Sequence, residues 1–349
     1  MKAGIIHSGF IYEIGTAPFP SCHAATLCEP APGHVVAAFF GGSGEGKPDA
    51  SIWTCHLRDG RWSAPVLTAE GIEPDGSRYP CWNPVLFKPR NGPMLLFYKV
   101  GPSPSKWWGM LKRSGDEGHT WSAARRVGPN LIGPAKNKPV QLESSMILVP
   151  TSVESESGWR LYFECSTDNG NTWSAMPWVE QDRSIIPKAT QPTILIHSQT
   201  VLQALGRTTV GRICETWSRD GGATWSPLAL TDLPNCNSGI DATTLRDGTH
   251  LLVYNHSNLE KVRYPLNVAI SRDGRTWQAA AIIQDEPPGQ YSYPCVIQTA
   301  DGLVHIAYTF KRRTIGHVVI DPAKLEPRPI REFVCPPPGS ITHRVDPTQ

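Results

Sequence analysis

Apolar residues along this chain come in short runs broken by glycine, proline and Asp-Gly pairs, and almost nowhere do they recur at the spacing of an amphipathic helix. With 33 prolines and 31 glycines as punctuation, the pattern predicts an all-β protein with many tight turns. One run stands apart. Ile5 to Ile14 reads as a strand with no hairpin partner of its own.

The turns repeat. Ser218-Arg-Asp-Gly-Gly-Ala-Thr-Trp-Ser226 is matched by Ser166-Thr-Asp-Asn-Gly-Asn-Thr-Trp-Ser174 and by Ser114-Gly-Asp-Glu-Gly-His-Thr-Trp-Ser122. Ser271-Arg-Asp-Gly-Arg-Thr-Trp277 is shorter, and Arg58-Asp-Gly-Arg-Trp-Ser63 is a worn copy. The tryptophans fall at 62, 121, 173, 225 and 277, with separations of 59, 52, 52 and 52 residues. A fixed period of this kind belongs to propellers and arrays. In each unit Asp-Gly supplies the positive-φ position of a hairpin connection, and the Asp and Ser oxygens can bond N–H groups that the turn leaves unpaired. The Trp is expected to bury its ring against the next repeat.

About six such units fill 349 residues, so the predicted architecture is a six-bladed β-propeller of four-stranded antiparallel blades. One domain is expected over residues 1–349, with the blades within about 5–320. The last unit, from Tyr291 to about Ile320, has three strand-like segments, so the N-terminal strand is expected to complete it and close the circle. The proline-rich residues 321–349 are expected to form an irregular tail on the outside.

A second alignment marks the first strand of each blade by a polar residue before Pro or Ala: His23-Ala24, Asn83-Pro84, Lys138-Pro139, Gln191-Pro192, Asp241-Ala242 and Tyr293-Pro294. In a propeller the first strands line the central channel, so these six side chains are expected to converge on one end of it. The following strands bring Lys99, Arg207, Lys311 and Arg312 toward the same face, and with Lys138 they would suit a carboxylate or sulfate.

Composition narrows the partners. Hydrophobic residues make up 40% and charged residues 18%, enough for a large core, and a net charge of +2 gives no reason to expect nucleic acid or a membrane surface. No run of 18 apolar residues occurs and Met1 to His7 lacks a signal-peptide core, which predicts a cytoplasmic protein, with secretion after removal of a leader as the alternative. Nine cysteines without C-x-x-C spacing predict reduced thiols, and the scattered histidines give no metal motif, so neither metal nor cofactor is expected.

The turn units are Asp boxes, and a six-fold set of them resembles the sialidase superfamily, in particular its BNR-repeat branch, over roughly residues 5 to 320. The resemblance implies a Tyr nucleophile at the start of the last blade, for which Tyr291 and Tyr293 both stand as candidates, and a clamp arginine at Arg207. It implies an acid in a first-blade loop, where Glu45 and Asp49 are available. Departures matter as much. The Arg-Ile-Pro of the family is replaced by Cys22-His23-Ala24, its glutamate beside the Tyr corresponds to Gln191, and a second clamp arginine corresponds to Asn255. Gln cannot take a proton from a phenol.

Each candidate has a plainer reading. His23 could act as general acid or base, or be a histidine satisfied inside the channel. Asp241 could orient His23, act as base, or anchor structure. Glu45 and Asp49 could be solvated loop charges. The reading that gathers most of these residues is an enzyme cleaving a glycosidic bond at a terminal acidic sugar. It would bind the acid through Lys138, Arg207 and Lys311 or Arg312 and the hydroxyls through Asn83 and Gln191, with Lys99 and Asn255 as further substrate-binding residues, and move protons through His23, with Tyr291 or Tyr293 and an acid from Asp241, Glu45 or Asp49. Elimination at a uronate is the alternative chemistry, by resemblance to propeller enzymes of rhamnose-glucuronate linkages. A non-catalytic glycan-binding propeller is the alternative class. The partner in every case is an acidic oligosaccharide or glycoconjugate.

Overall fold

The computed structural model describes residues 2–156 and 158–334. Its strands form six small antiparallel sheets arranged as the blades of a propeller. No helix among the described residues is long and apolar enough to cross a membrane. Blades 1 to 5 begin with Ser21–Ala31, Cys81–Phe87, Val140–Gln141, Ala189–Ile196 and Asp241–Thr244, and each runs outward strand by strand along the chain. Blade 6 runs from Tyr291–Gln298 through Val304–Phe310 and Thr314–Ile320, and Ile5–Phe10 supplies its outer strand, pairing Ile5 with Ile320 and Phe10 with Gly316. The N-terminal strand therefore closes the ring as its unpaired pattern predicted, and covers the outer edge of Thr314–Ile320.

Second strands carry the core. His34–Gly42, Met94–Val100, Leu202–Thr208 and His250–Asn255 are buried along their whole length, because each is covered on both faces by adjacent blades. That is why they read as continuous apolar runs rather than alternations. Val36, Ala38 and Phe40 of blade 1 pack with Leu86, Leu96 and Tyr98 of blade 2, and the other blade pairs make similar clusters.

The Asp boxes are closed hydrogen-bond units. Ser218 Oγ donates to Asp220 Oδ1 at 2.8 Å and accepts from Gly222 N at 2.8 Å, while Asp220 accepts from the Thr224 N–H and hydroxyl. Residues 114–120, 166–172 and 271–276 repeat the arrangement. The worn copy is a different turn. Asp59 and Gly60, with φ of 50° and 73°, make a two-residue hairpin that returns directly into Arg61–Trp62. The direction of Trp packing also differs from expectation. Trp173 meets Phe97 of blade 2 and Trp225 stacks on Phe163 of blade 3 at 4.0 Å, so each ring covers the preceding blade, not the next. The glycines of the boxes lean the same way, with Gly170 against Leu95 and Gly222 against Leu148.

Beyond blade 6 the tail is more ordered than its prolines suggest. Arg328–Pro329 adds a short fifth strand to blade 5, and Phe333 is buried beside Leu233 and Trp277. Residues 335–349 lie outside the described residues.

Candidate functional site

The channel mouth is shaped by one irregularity repeated in four innermost strands. Ladder pairing breaks between His23 and Thr26, Trp82 and Val85, Thr190 and Thr193, and Ser292 and Cys295. The first residue inside each break takes a left-handed φ: Ala24 56°, Asn83 36°, Gln191 56° and Tyr293 53°. In three of the four the next residue is proline, which has no N–H for the broken ladder to leave unpaired. Asn83, Gln191 and Tyr293 therefore share one structural place, as the sequence alignment held. The blade 1 member of the set is Ala24, and His23 lies one residue earlier, level with Trp82.

Blades 3 and 5 are offset by two residues from that alignment. Asp241 pairs with Val253 as Thr193 pairs with Leu205, and counting back from Val140 opposite Leu148 puts Lys136, not Lys138, level with Gln191. The side-chain period of a strand is two, so this error kept the face but chose a deeper layer. Gly239 holds the same place in blade 5, and its missing side chain makes room for Lys136, whose Cε would lie 2.9 Å from a Cβ there. Lys136 Nζ donates to Asn137 Oδ1 and to the carbonyls of Ile240 and Pro294, spanning the channel. Burial pushes its ammonium down to about 8.

Tyr293 is the centre of the mouth. Arg207 Nη1 donates to its hydroxyl at 2.8 Å, and Gln191 Nε2 stands 3.5 Å from the same oxygen. The guanidiniums of Arg207 and Arg263 each lie 5.5 Å from its ring centroid, Lys136 Nζ lies 5.8 Å away, and the His23 ring lies 4.1 Å from it. His23 Nδ1 bonds to Thr309 Oγ1 at 2.9 Å, and its buried Nε2 has no partner among the described residues. Burial, then Arg312, Arg263, Arg207 and Lys136, all hold His23 far below the usual histidine range, so it is a neutral imidazole. Arg263 is itself lowered by burial and by the neighbouring Arg207 and Arg312, against the opposing pull of Tyr293. Arg207 Nε and Arg263 Nη1 are buried without an acceptor among the described residues.

Two guanidiniums with donors unpaired among the described residues make a place for an anion. Carboxylates stand at its rim. Glu45 Oε2 pairs with Arg312 Nη1 at 2.5 Å. Glu154 accepts from Thr190 Oγ1 at 3.2 Å, and burial raises its carboxyl, opposed by Arg207 and reinforced by Glu45.

Several sequence candidates have other employment. Tyr291 packs in the core between blades 5 and 6 and donates to the Glu286 carbonyl at 3.1 Å. Asp241 accepts from Lys138 Nζ, Thr193 Oγ1 and Val296 N, which ties blades 3, 4, 5 and 6 together and leaves neither oxygen idle. Asn255 donates to the carbonyls of Pro265 and Tyr291. Lys99 is fully buried, donates to the Pro134 carbonyl and is pushed down to about 7 by burial, with Glu164 opposing. Lys311 Nζ lies over the rings of Phe310 and Tyr291. Asp49 accepts twice from Ser43 at 2.7 Å; burial works against its ionisation, and these bonds still hold the carboxyl below the usual range. Asp49 thereby closes the glycine-rich loop whose Gly46 rests on Trp82.

Arg263, Lys136 and Glu154 were not singled out from sequence. Lys136 was hidden by Pro139, which resembles the proline that follows the break in other blades although Asn137 occupies that place. Arg263 sits in the connection between the second and third strands of blade 5, beside the cis Tyr264-Pro265 bond, and its carbonyl accepts from Tyr291 N. Arg312 and Glu45 come from the same connections of blades 6 and 1, so a search for charges in those loops would have found Arg263.

Residues 33–306 match the model of the BNR repeat-like domain. A curated relative, the anhydrosialidase of the leech Macrobdella decora, is 26% identical over 245 residues, which is 62% of this chain and 31% of that protein. The chain thus spans about a third of that relative's length. Among solved structures, a Hadza microbial sialidase superposes with a TM-score of 0.77 at 16% identity, covering 91% of this chain and 69% of that one. The intramolecular trans-sialidase of Ruminococcus gnavus superposes with a TM-score of 0.73 at 16% identity, covering 93% and 99%. A protein of unknown function from Dyadobacter fermentans gives 0.73 at 17% identity, covering 91% and 99%. These likenesses to structures concern the fold. With its Asp boxes, closed ring and matching domain model, the chain belongs to the BNR repeat-like domain family of the sialidase superfamily.

Proposed function

We propose that the protein is a glycosidase acting on a terminal carboxylated sugar of the sialic-acid class, with Tyr293 as nucleophile and Arg207, Arg263 and Arg312 as the carboxylate clamp. The observation that carries this reading is the Arg207–Tyr293 contact at 2.8 Å beside buried guanidinium nitrogens that lack acceptors among the described residues. A carboxylate on the substrate would supply those acceptors.

An anomeric carbon that bears a carboxylate repels an anionic nucleophile, and a phenol can approach it neutral and lose its proton as the bond forms. Gln191 cannot accept that proton, so it passes to solvent water as the bond forms, while Arg207 Nη1 holds the phenolic oxygen in position. The Tyr293 oxygen bonds to the anomeric carbon as the bond to the leaving oxygen breaks. The leaving oxygen takes a proton from a rim carboxylic acid, for which Glu154, raised by burial, and Glu45 are the candidates. Water or a hydroxyl of the same sugar then displaces Tyr293. The leech relative named anhydrosialidase and the intramolecular trans-sialidase fold support considering the internal acceptor.

Incubation with 3′-sialyllactose and product mass tests the reading. Free sialic acid indicates water as acceptor, and a product lighter by one water indicates the internal hydroxyl. Binding without either product would sink the catalytic reading and favour a glycan-binding propeller. A second chemistry rests on the position of His23, whose Nε2 is unpartnered among the described residues and whose ring lies 4.1 Å from that of Tyr293, where it could take a proton beside a uronate carboxylate. Cleavage of a glucuronate-containing oligosaccharide with a new ultraviolet-absorbing double bond would select elimination.

A further inference from the structure

The flank between blades 1 and 2 gathers three histidines that the channel does not use. His34 opens the strand His34–Gly42, His56 lies on the neighbouring Ser51–Arg58, and His119 comes from the blade 2 Asp box. One ring nitrogen of each lies within 4.8 Å of the others. His34 Nε2 faces His56 Nδ1 at 2.9 Å, and the rings of His56 and His119 lie parallel with centroids 4.6 Å apart.

Neighbours fix how these rings carry their protons. Glu117 Oε2 is 2.9 Å from His34 Nδ1, and an ionised carboxylate only accepts, so Nδ1 holds the hydrogen and Nε2 presents its lone pair to His56. Arg58 Nη2 stands 2.9 Å from the same Nδ1 and directs its hydrogen to Glu117 at 2.8 Å, where the two charges offset each other. His34 is buried, His56 half-buried and His119 exposed, so the set opens toward solvent on one side.

We propose that His34, His56 and His119 bind a divalent transition metal of the zinc class, with Glu117 as the outer carboxylate and a fourth position open to solvent. Three imidazoles at about 2.0–2.1 Å from a tetrahedral ion would have nitrogens about 3.3 Å apart. Two of these nitrogens are already that close, and exposed His119 can swing to complete the set. Glu117 holding His34 by its far nitrogen is the carboxylate–histidine relation that fixes a ligand's tautomer and raises its basicity. The open position faces a cavity of about 450 Å³ lined by Thr54, Thr68, Lys112 and Trp121. Imidazole donors select zinc, nickel or copper over magnesium or calcium.

The test is calorimetric titration of tag-free, chelator-stripped protein with Zn²⁺, with Co²⁺ visible absorption as a readout of geometry. One equivalent should bind with micromolar or tighter affinity. His119→Ala and Glu117→Gln should each weaken binding by about tenfold or more. His250→Ala, which breaks a similar His197–His250 contact of 3.0 Å elsewhere, should leave it unchanged. His119 is exposed, so thermal unfolding of metal-free His119→Ala should match the parent. Binding only near millimolar Zn²⁺, or parental affinity in His119→Ala, would overturn the proposal.

Discussion

The Asp-box corners and the channel mouth hold their polar groups in opposite ways. In the box at 218–226 Ser218 and Asp220 meet donor with acceptor, and the carboxylate answers the N–H and hydroxyl of Thr224. At the mouth, guanidinium nitrogens of Arg207 and Arg263, the Gln191 amide oxygen and His23 Nε2 are buried without partners among the described residues. A satisfied network stabilises; an unsatisfied one stores a demand that a ligand can meet. Function should therefore be lost at the mouth with little loss of stability, and stability lost at the corners with little loss of function.

Tyr293→Phe should break this most sharply. Turnover of a sialoside should fall by about a thousandfold or more while the unfolding temperature stays within a few degrees, since only the hydroxyl is removed. A variant with near-parental turnover would remove Tyr293 from the chemistry. Arg263→Met comes next: KM should rise by about tenfold or more, yet the folded state should hold or gain stability, because a buried charge with an unpaired donor is replaced by an apolar chain of similar length. Denaturation and kinetics on one preparation would read both.

Ser218→Ala should do the reverse. It leaves the buried Gly222 N–H without its acceptor, at a cost of about 1–3 kcal/mol, with kcat per folded molecule unchanged. Asp220 and Trp225 should likewise cost stability before specificity.

The smallest effect is in pH. Burial takes His56 and His250 down to about 4, below the unfolded value near 6.5. The unfolded chain therefore binds more protons between these values, so their contribution is complete above about 6.5 and is lost as pH falls toward 4. The box carboxylates respond later. Thr224 leads the bonds that hold Asp220 at about 2, so its contribution is present above the unfolded carboxylate range near 3.9 and is lost as pH falls through 2. The unfolding temperature measured from pH 7 downward should fall first between 6.5 and 4, and His250→Asn should flatten that first slope.

Sequence by itself determined the ring. The boxes are local, since Ser218 to Thr224 satisfy one another within one turn, and their period counted the blades; the partnerless Ile5 strand then foretold the closure. It also brought His23, Asn83, Gln191, Arg207, Arg312, Tyr293 and Glu45 within range of one mouth. Only the tertiary structure decided which neighbours of the same chemistry face the channel. Tyr291 and Tyr293 both satisfy a Tyr motif, but the ladder break between Ser292 and Cys295 turns Tyr293 to the axis and leaves Tyr291 in the core. Lys136 replaced Lys138 because register is a property of a strand pair, and Arg263 entered from a loop whose path is set by packing. Local hydrogen bonds can be read from adjacent residues; convergence from six directions depends on where separate strands break their pairing.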